Sequence, residues 1–352
     1  MDIPLKGIRE KDFWLQDAMK HRIKYLRIVR KPFKTKWRYF VQLVLEGYSP
    51  RKFKKGSGKM GVDPGISTMT VDTEQGMKQH VLAPDVHSYE NEVRRASVVY
   101  QRRLRAANPD NFNEDGTIRK DSENFHKVWK RTKGIQKALM ELKTAHRKLY
   151  EYRKQSHGAL TNECIRQAGE IVIEPVNYKG LARKAKETSR SDRKSLLKSR
   201  DGSVKKVYKY RRRKRFGSSI LRHAPASFLS ILKQKCVRYG VVVREINPYL
   251  VRASQYNHVT GETEKTLLSD RTKRIDGHLV QRDGYSSFLI RHVKTDGETI
   301  DRESCKKDFK EYLKHQGREV ARKFRSGDPT GCFGLPGFQK RKNVNTIFQT
   351  AI

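Results

Sequence analysis

Residues 58–72, GKMGVDPGISTMTVD, put a single acid, Asp63, directly after an apolar residue and directly before Pro64 and Gly65. The run after the glycine, Ile66 to Asp72, alternates apolar and polar residues only loosely, so a half-buried strand does not by itself account for the carboxylate. The acid has two uses to weigh. Asp, Pro and Gly each favour turns for a separate physical reason, and Asp63 then simply opens one. Otherwise Asp63 ends a strand and holds a metal ion, which requires partner acids elsewhere in the chain.

The chain has 352 residues, enough for two or three domains or for one domain with large insertions. Its 78 Lys and Arg against 38 Asp and Glu leave a formal charge of +40. That excess is far beyond what solubility asks for, and a polyanion is the expected partner. Hydrophobic residues are only 36% of the total, yet aromatics are spread along the chain, so a folded protein is expected and not a disordered polycation. No run of about 18 apolar residues occurs, and MDIPLKGIREKDFW is too polar for a secretory signal, so a cytoplasmic protein without a membrane span is expected. The cysteines Cys164, Cys236, Cys305 and Cys332 form no C-x-x-C pair, which predicts reduced, mostly buried thiols and no zinc site.

Strand-forming residues first concentrate at roughly 23–30 and 36–46, joined by a turn near Pro32, a hairpin expected to carry Lys and Arg on one face. Residues 61–83 supply two or three further short strands. After Pro84 the spacing becomes helical, and a long antiparallel helical hairpin is predicted over 90–106 and 121–169, interrupted by the loop residues NPDNFNEDGT. EIVIEPVNYKG follows, where Ile171, Val172 and Ile173 read as a buried central strand with Glu174 at its C-terminal end. Residues 177–219 then hold seventeen Lys and Arg against three acids. This is either a solvated charge run or, because Tyr178, Tyr208, Tyr210 and Phe216 are interleaved, a surface for phosphate neutralisation and base stacking. A helix over 224–240, a strand over VVVREINPY, and a helix whose first turn carries Asp283 in HLVQRDGYSSFLIRHV come next. From about 293 the chain reads as helical to Arg325, and 327–352 as a mobile tail.

Asp63, Glu174 and Asp283 therefore stand at strand ends and at a helix start, where open α/β sheets place their chemistry. Three hard oxygen ligands without nearby cysteine suit Mg2+ or Mn2+, and two such ions can activate water and steady a leaving oxygen in phosphodiester hydrolysis. A very basic chain with such a site reads as a nuclease or nucleotidyl transferase.

GVDPGIST, IVIEPVNYKGL and VQRDGYSS resemble the three RuvC motifs of the transposon-encoded TnpB proteins, which are related to type V CRISPR effectors. YRRRKRFGSSILRHAPASFLSIL and VRASQYNHVTGETEKTLLSDR are similar to segments between the second and third motifs of a subgroup, and the resemblance covers roughly residues 22–320. It implies an α/β, RNase H-like (RuvC) domain with a helical hairpin insertion, a small N-terminal β-hairpin or wedge piece and a compact insert before the third motif. The implied boundaries are a remnant of the wedge barrel at 1–57 and the nuclease domain at 58–250, with a helical insertion at 87–169 and the basic segment at 177–219. A target-strand loading insert at 251–280 and the end of the nuclease domain at 281–326 complete it. The implied activity is RNA-guided DNA cleavage at a single RuvC site, with guide RNA and target DNA as partners, a possible homodimer, and use at the prokaryotic nucleoid. Asp63, Glu174 and Asp283 become the catalytic, metal-holding residues, Asp63 bridging two ions. Lys179 and Arg282 are candidates to hold the scissile phosphate, or else plain surface cations. Lys205, Lys206, Lys209, Arg211, Arg212, Arg213, Lys214 and Arg215 are assigned to guide RNA or heteroduplex backbone, and Lys24, Arg27, Arg30, Lys31 and Lys34 to an RNA scaffold.

Two departures from the family accompany this. Many relatives carry paired zinc cysteines in the insert, whereas SQYNHVTGETEKTLLSDRTKRIDGHLVQRD has none; His258 and His278 are expected as polar surface residues, with Ser254, Gln255 and Tyr256 packing near the active site. The hairpin at 23–46 also comes almost at once, so a recognition lobe and the first barrel strands are expected to be missing, trimmed, or supplied by a longer product or another copy. The rival functions are a guide-dependent DNA-binding regulator without cleavage and a non-specific nucleic-acid-binding protein.

Overall fold

The structure, a computed structural model, describes residues 12–114, 116–121, 126–182, 190–198, 204–210, 216–265 and 270–326. It divides into two units, Met1–Phe53 with Pro84–Lys154, and Lys54–Ala83 with Gln155–Ile352.

In the first unit, helix α1 (Phe13–Met19) starts where the Asp12 carboxylate accepts the Trp14 amide at 3.0 Å, an ordinary N-cap. Strands β1 (Ile23–Phe33) and β2 (Lys36–Leu45) form a two-stranded antiparallel ribbon closed at Phe33↔Lys36. The first strand runs past its expected end at residue 30, and the turn falls at Lys34, whose φ of 51° is left-handed. Pro32 is tolerated inside β1 because a two-stranded ribbon has free edges. Strand alternation puts Arg30 on the face opposite Arg27 and Lys31, so the ribbon does not collect its cations on one face as expected. Instead Arg30 lies over Trp37 at 4.7 Å and Lys31 over Phe40 at 5.3 Å.

Helix α2 (Val86–Ala107) and the part of α3 (Lys133–Gln167) up to Lys154 run antiparallel within this unit: Tyr89 stacks on Tyr152 at 4.5 Å, and Arg103 donates to the Gly134 carbonyl at 2.9 Å. The second arm starts at Lys133 and not at 121. Asn108 accepts the Lys130 amide at 2.6 Å and Asn111 donates to the Val128 carbonyl at 2.9 Å, which holds that stretch extended along the loop. Thr132 then accepts the Ile135 amide at 3.3 Å and starts the helix.

In the second unit, β3 (Gly58–Pro64), β4 (Thr68–Thr73) and β5 (Gly76–Val81) form an antiparallel meander. After α3 come β6 (Ala168–Ile173), a short helix α4 (Tyr178–Ala182), and an antiparallel pair, β7 (Arg190–Lys198) and β8 (Val204–Tyr210). This pair lies in the basic stretch, to which the sequence reading assigns no secondary structure; β-branched and aromatic residues such as Val204, Val207 and Tyr208 supply the strand preference. Helices α5 (Phe216–His223) and α6 (Pro225–Tyr239) lead to β9 (Val242–Glu245). The main sheet has the order β5-β4-β3-β6-β9, with β6 parallel to both β3 and β9, so the described fold is mixed α/β around a mixed five-stranded sheet.

A one-turn helix α7 (Pro248–Val251) and a hairpin, β10 (Thr272–Ile275) and β11 (His278–Gln281), precede α8 (Arg282–Arg291) and α9 (Arg302–Ser326). The expected continuous helix from 293 is broken: Val293 and Ile300 bridge across a turn in which the Asp296 carboxylate accepts the Glu298 and Thr299 amides. Residues Gly284 to Arg291 of α8 are all buried, with Tyr285, Phe288 and Leu289 in one cluster with Phe309 and Tyr312 of α9. The helix sits so close to β3 that a Cβ on Gly61 would lie 2.0 Å from the Ser287 carbonyl oxygen, which only glycine avoids. Cys164, Cys236 and Cys305 are free and buried, while Cys332 and the rest of 327–352 lie outside the described residues. No described helix is long and apolar enough to cross a membrane.

Candidate active site

Asp63 occupies the penultimate position of β3, at a strand end that is followed directly by a turn. The carboxylate belongs to the strand, paired opposite Thr70, while the turn begins at Gly65, whose amide donates to the Thr68 carbonyl at 2.9 Å. Glu174 follows β6 directly, and its amide donates to the Val62 carbonyl at 3.3 Å, extending the parallel pairing. Parallel β3 and β6 thus carry both acids to the same edge of the sheet, at the carboxyl ends of the strands. Asp283 sits in the first turn of α8, whose start is fixed by Gln281: its side chain accepts the Gly284 amide, and its own amide donates to Gln316 at 2.7 Å.

All three acids line one cleft of about 570 Å3, together with Ser67, Thr68, Thr70, Phe216, Ser219, Ser254, Gln255, Arg271 and Arg282. Burial, then repulsion from Asp283 and Glu174, raises the Asp63 carboxyl well above the ordinary carboxylate range, with Arg282 opposing the rise. Burial also raises Glu174. Asp283 has cationic neighbours: Arg282 reaches one of its oxygens at 3.3 Å, and Arg271 the other at 4.0 Å. Like charges gathered in a partly dry cleft cost stability unless something positive offsets them. The donor set is hard oxygen only, which suits Mg2+ or Mn2+ in kind. Among the described residues no three His, Cys, Asp or Glu side chains stand as a ready-made cluster for an ion, so the carboxylates share the cleft without closing on one point.

Of the other sequence candidates, Arg282 is in the cleft and engaged with Asp283, while Lys179 is exposed on α4 and does not line it. Ser254 and Gln255 line the cleft as expected, but Tyr256 packs against the apolar cluster of α8 and α9. Lys24, Arg27, Arg30, Lys31 and Lys34 lie on the ribbon of the first unit. Lys205, Lys206 and Lys209 are on β8, with Lys206 exposed, and Arg211 to Arg215 lie outside the described residues.

Tyr178, grouped by sequence with stacking aromatics, is buried and donates to the Gly65 carbonyl at 3.0 Å, so it braces the turn after Asp63. Its position four residues after Glu174, inside the same motif, was the available signal. His258 is no surface residue: it is 1% exposed, its ring nitrogen lies 2.7 Å from the Tyr285 hydroxyl, and burial lowers its pKa to about 4. His278 is half-buried with its ring 6.2 Å from that of Phe309. Arg271 and Phe216 are cleft residues that sequence spacing did not single out as such.

No family model matches the sequence, and no curated protein matches it. Among solved structures the chain is similar to a cryo-EM structure of a CRISPR-Cas12f ternary complex, with a TM-score of 0.40 and 11% identity over 82% of this chain and 48% of that one. It is similar also to a cryo-EM structure of a Cas12f1–sgRNA–target DNA complex, with a TM-score of 0.33 and 10% identity over 71% of this chain and 52% of that one. The chain spans about half the length of these two chains.

Proposed function

We propose that this chain is an RNA-guided DNA endonuclease of the TnpB type that hydrolyses phosphodiesters at an RNase H-like site with Mg2+ or Mn2+. The observation that carries the reading is the convergence of Asp63, Glu174 and Asp283, far apart in sequence, on one cleft at the carboxyl edge of the sheet. The mixed sheet, with a meander on one side and parallel strands on the other, supports the RNase H-like reading. Divalent ions held by the three carboxylates would supply the activated water and steady the leaving oxygen. The chain's own contribution is positional. The β3–β6 pairing aims Asp63 and Glu174 the same way, Tyr178 braces the turn beyond Asp63, and Gln281 with Gln316 sets where Asp283 begins α8. Arg282 and Arg271 hold the Asp283 carboxylate in its cleft-facing position and give the cleft its cationic rim. The net charge of +40 attracts guide RNA and target DNA through their phosphates.

The test is Asp63→Ala in the complex purified with its RNA. Magnesium-dependent cutting should vanish while the RNA remains bound. A mutant that cuts like the parent would sink the assignment, and a parent that occupies matching DNA with Mg2+ present but does not cut it would turn the reading to a DNA-binding regulator.

A further inference from the structure

Besides the acids, the cleft is lined by an aromatic ring, a carboxamide and hydroxyls that nothing in the catalytic reading uses. Phe216, the first residue of α5, lines the cleft and is 42% exposed, and no ring or cation packs on it among the described residues. Gln255 and Ser254 line the same cleft, and their side chains have no hydrogen-bond partner among the described residues.

The loop that presents Gln255 is nevertheless tied down along its backbone. The Gln255 amide donates to the Arg252 carbonyl at 2.8 Å, and its carbonyl accepts the Glu264 amide at 3.0 Å. Lys273 donates to the carbonyl of Tyr256 at 3.0 Å, with Ser254 at 3.4 Å, and Tyr256 bridges Thr263. Further along, the His258 amide donates to the Tyr285 hydroxyl at 3.1 Å, and Arg302 donates to the carbonyls of His258 and Val259 at 3.0 and 2.6 Å. A loop whose backbone is this fully bonded while its tip side chains are left open is pre-organised for a ligand. The cleft volume of about 570 Å3 falls within the range of small-molecule pockets, roughly 300–1,000 Å3. An exposed aromatic ring in the same cleft as donor and acceptor groups suits a planar heterocycle, because every nucleobase has a face to stack and an edge to hydrogen-bond.

We propose that Phe216 and Gln255 form a nucleobase subsite, in which Phe216 stacks on one base of the single strand entering the cleft and the Gln255 carboxamide bonds its edge. The subsite deepens the nuclease reading, since it would hold the nucleotide beside the scissile phosphate. Its test reads binding without cutting.

The full chain is titrated in EDTA, at salt high enough to suppress loose phosphate contacts, with single-stranded DNA oligonucleotides in which 2-aminopurine is walked along the strand. One position should be quenched well beyond its neighbours. Phe216→Ala should abolish that quench and weaken binding about tenfold. Phe216→Trp should restore both, and Gln255→Ala should weaken binding without removing the quench. An abasic nucleotide at the quenched position should make the parent and Phe216→Ala bind alike. Uniform quenching at every position, or Phe216→Ala binding as tightly as the parent with the base present, would overturn the subsite. Cleavage assays then separate the two readings. A protein that cuts but shows no favoured position keeps the nuclease reading without the subsite, and one that shows the position but never cuts keeps the subsite alone.

Discussion

Asp63 shows how a single residue can satisfy two local rules at once. Its carboxylate belongs to a strand, its successors form a turn, and Tyr178 closes that turn from a distant part of the chain. Tyr178→Phe removes one hydrogen bond to the Gly65 carbonyl, so a loss of about 1 kcal/mol is expected in urea unfolding, with a larger proportional fall in cleavage rate. Gly61→Ala meets the α8 backbone directly, and the expected result is a destabilisation of at least about 1–3 kcal/mol, visible as a lowered unfolding midpoint. His258 titrates at about 4 in the fold because of burial, and His80 likewise; both lie below the ordinary value of 6.5. The unfolded chain therefore binds more protons between those values. Their contribution to stability is complete above about pH 6.5 and is lost as pH falls toward 4. Burial raises Asp63, Glu174 and Asp72 over the same window, which acts in the opposite sense, so the histidines are read by difference: as pH falls from 7.5 to 4.5 the urea midpoint of the parent should lose ground to those of His80→Gln and His258→Gln, and parallel profiles would show that neither histidine is buried neutral.

At the scale of elements, α8 and its start decide where Asp283 stands. The Gln281 amide is bonded to Gln316 of α9, which is itself bonded to Tyr312 and to the Leu279 carbonyl. Gln316→Ala leaves that buried amide unpaired, so a cost of about 1–3 kcal/mol is expected together with reduced cleavage, because the turn bearing Asp283 loses its anchor. A variant as stable and as active as the parent would show that the anchor is dispensable. The positions of the three acids were legible in sequence because Asp63 and Glu174 each close an apolar run at a strand end and Asp283 falls in the first turn of a helix, where local pattern and local structure coincide. The start of α3 at Lys133 was not, since it depends on Asn108 reaching Lys130 across the loop. The β7–β8 and β10–β11 pairs were also hidden, because charged strands mask alternation and pairing is a property of two segments together. His258 read as a surface residue because its burial comes from Tyr285 and Phe309, which sequence places far away.

Across the whole molecule, net charge and the acid cleft pull in opposite directions. A chain of charge +40 brings three carboxylates into one cleft, and under the proposed nuclease reading this contrast gives attraction for a polyanion over the surface and hard oxygen donors in the cleft. RNA binding should weaken steeply and linearly in a plot of log affinity against log salt, as counterion release demands. The most direct measurement takes the protein purified with its co-expressed RNA, adds Mg2+, and offers DNA that matches or does not match the variable part of that RNA. Cutting confined to matching DNA, absent in Asp63→Ala although the RNA is retained, is the predicted result; cutting that ignores the RNA, or that survives the loss of Asp63, would contradict it.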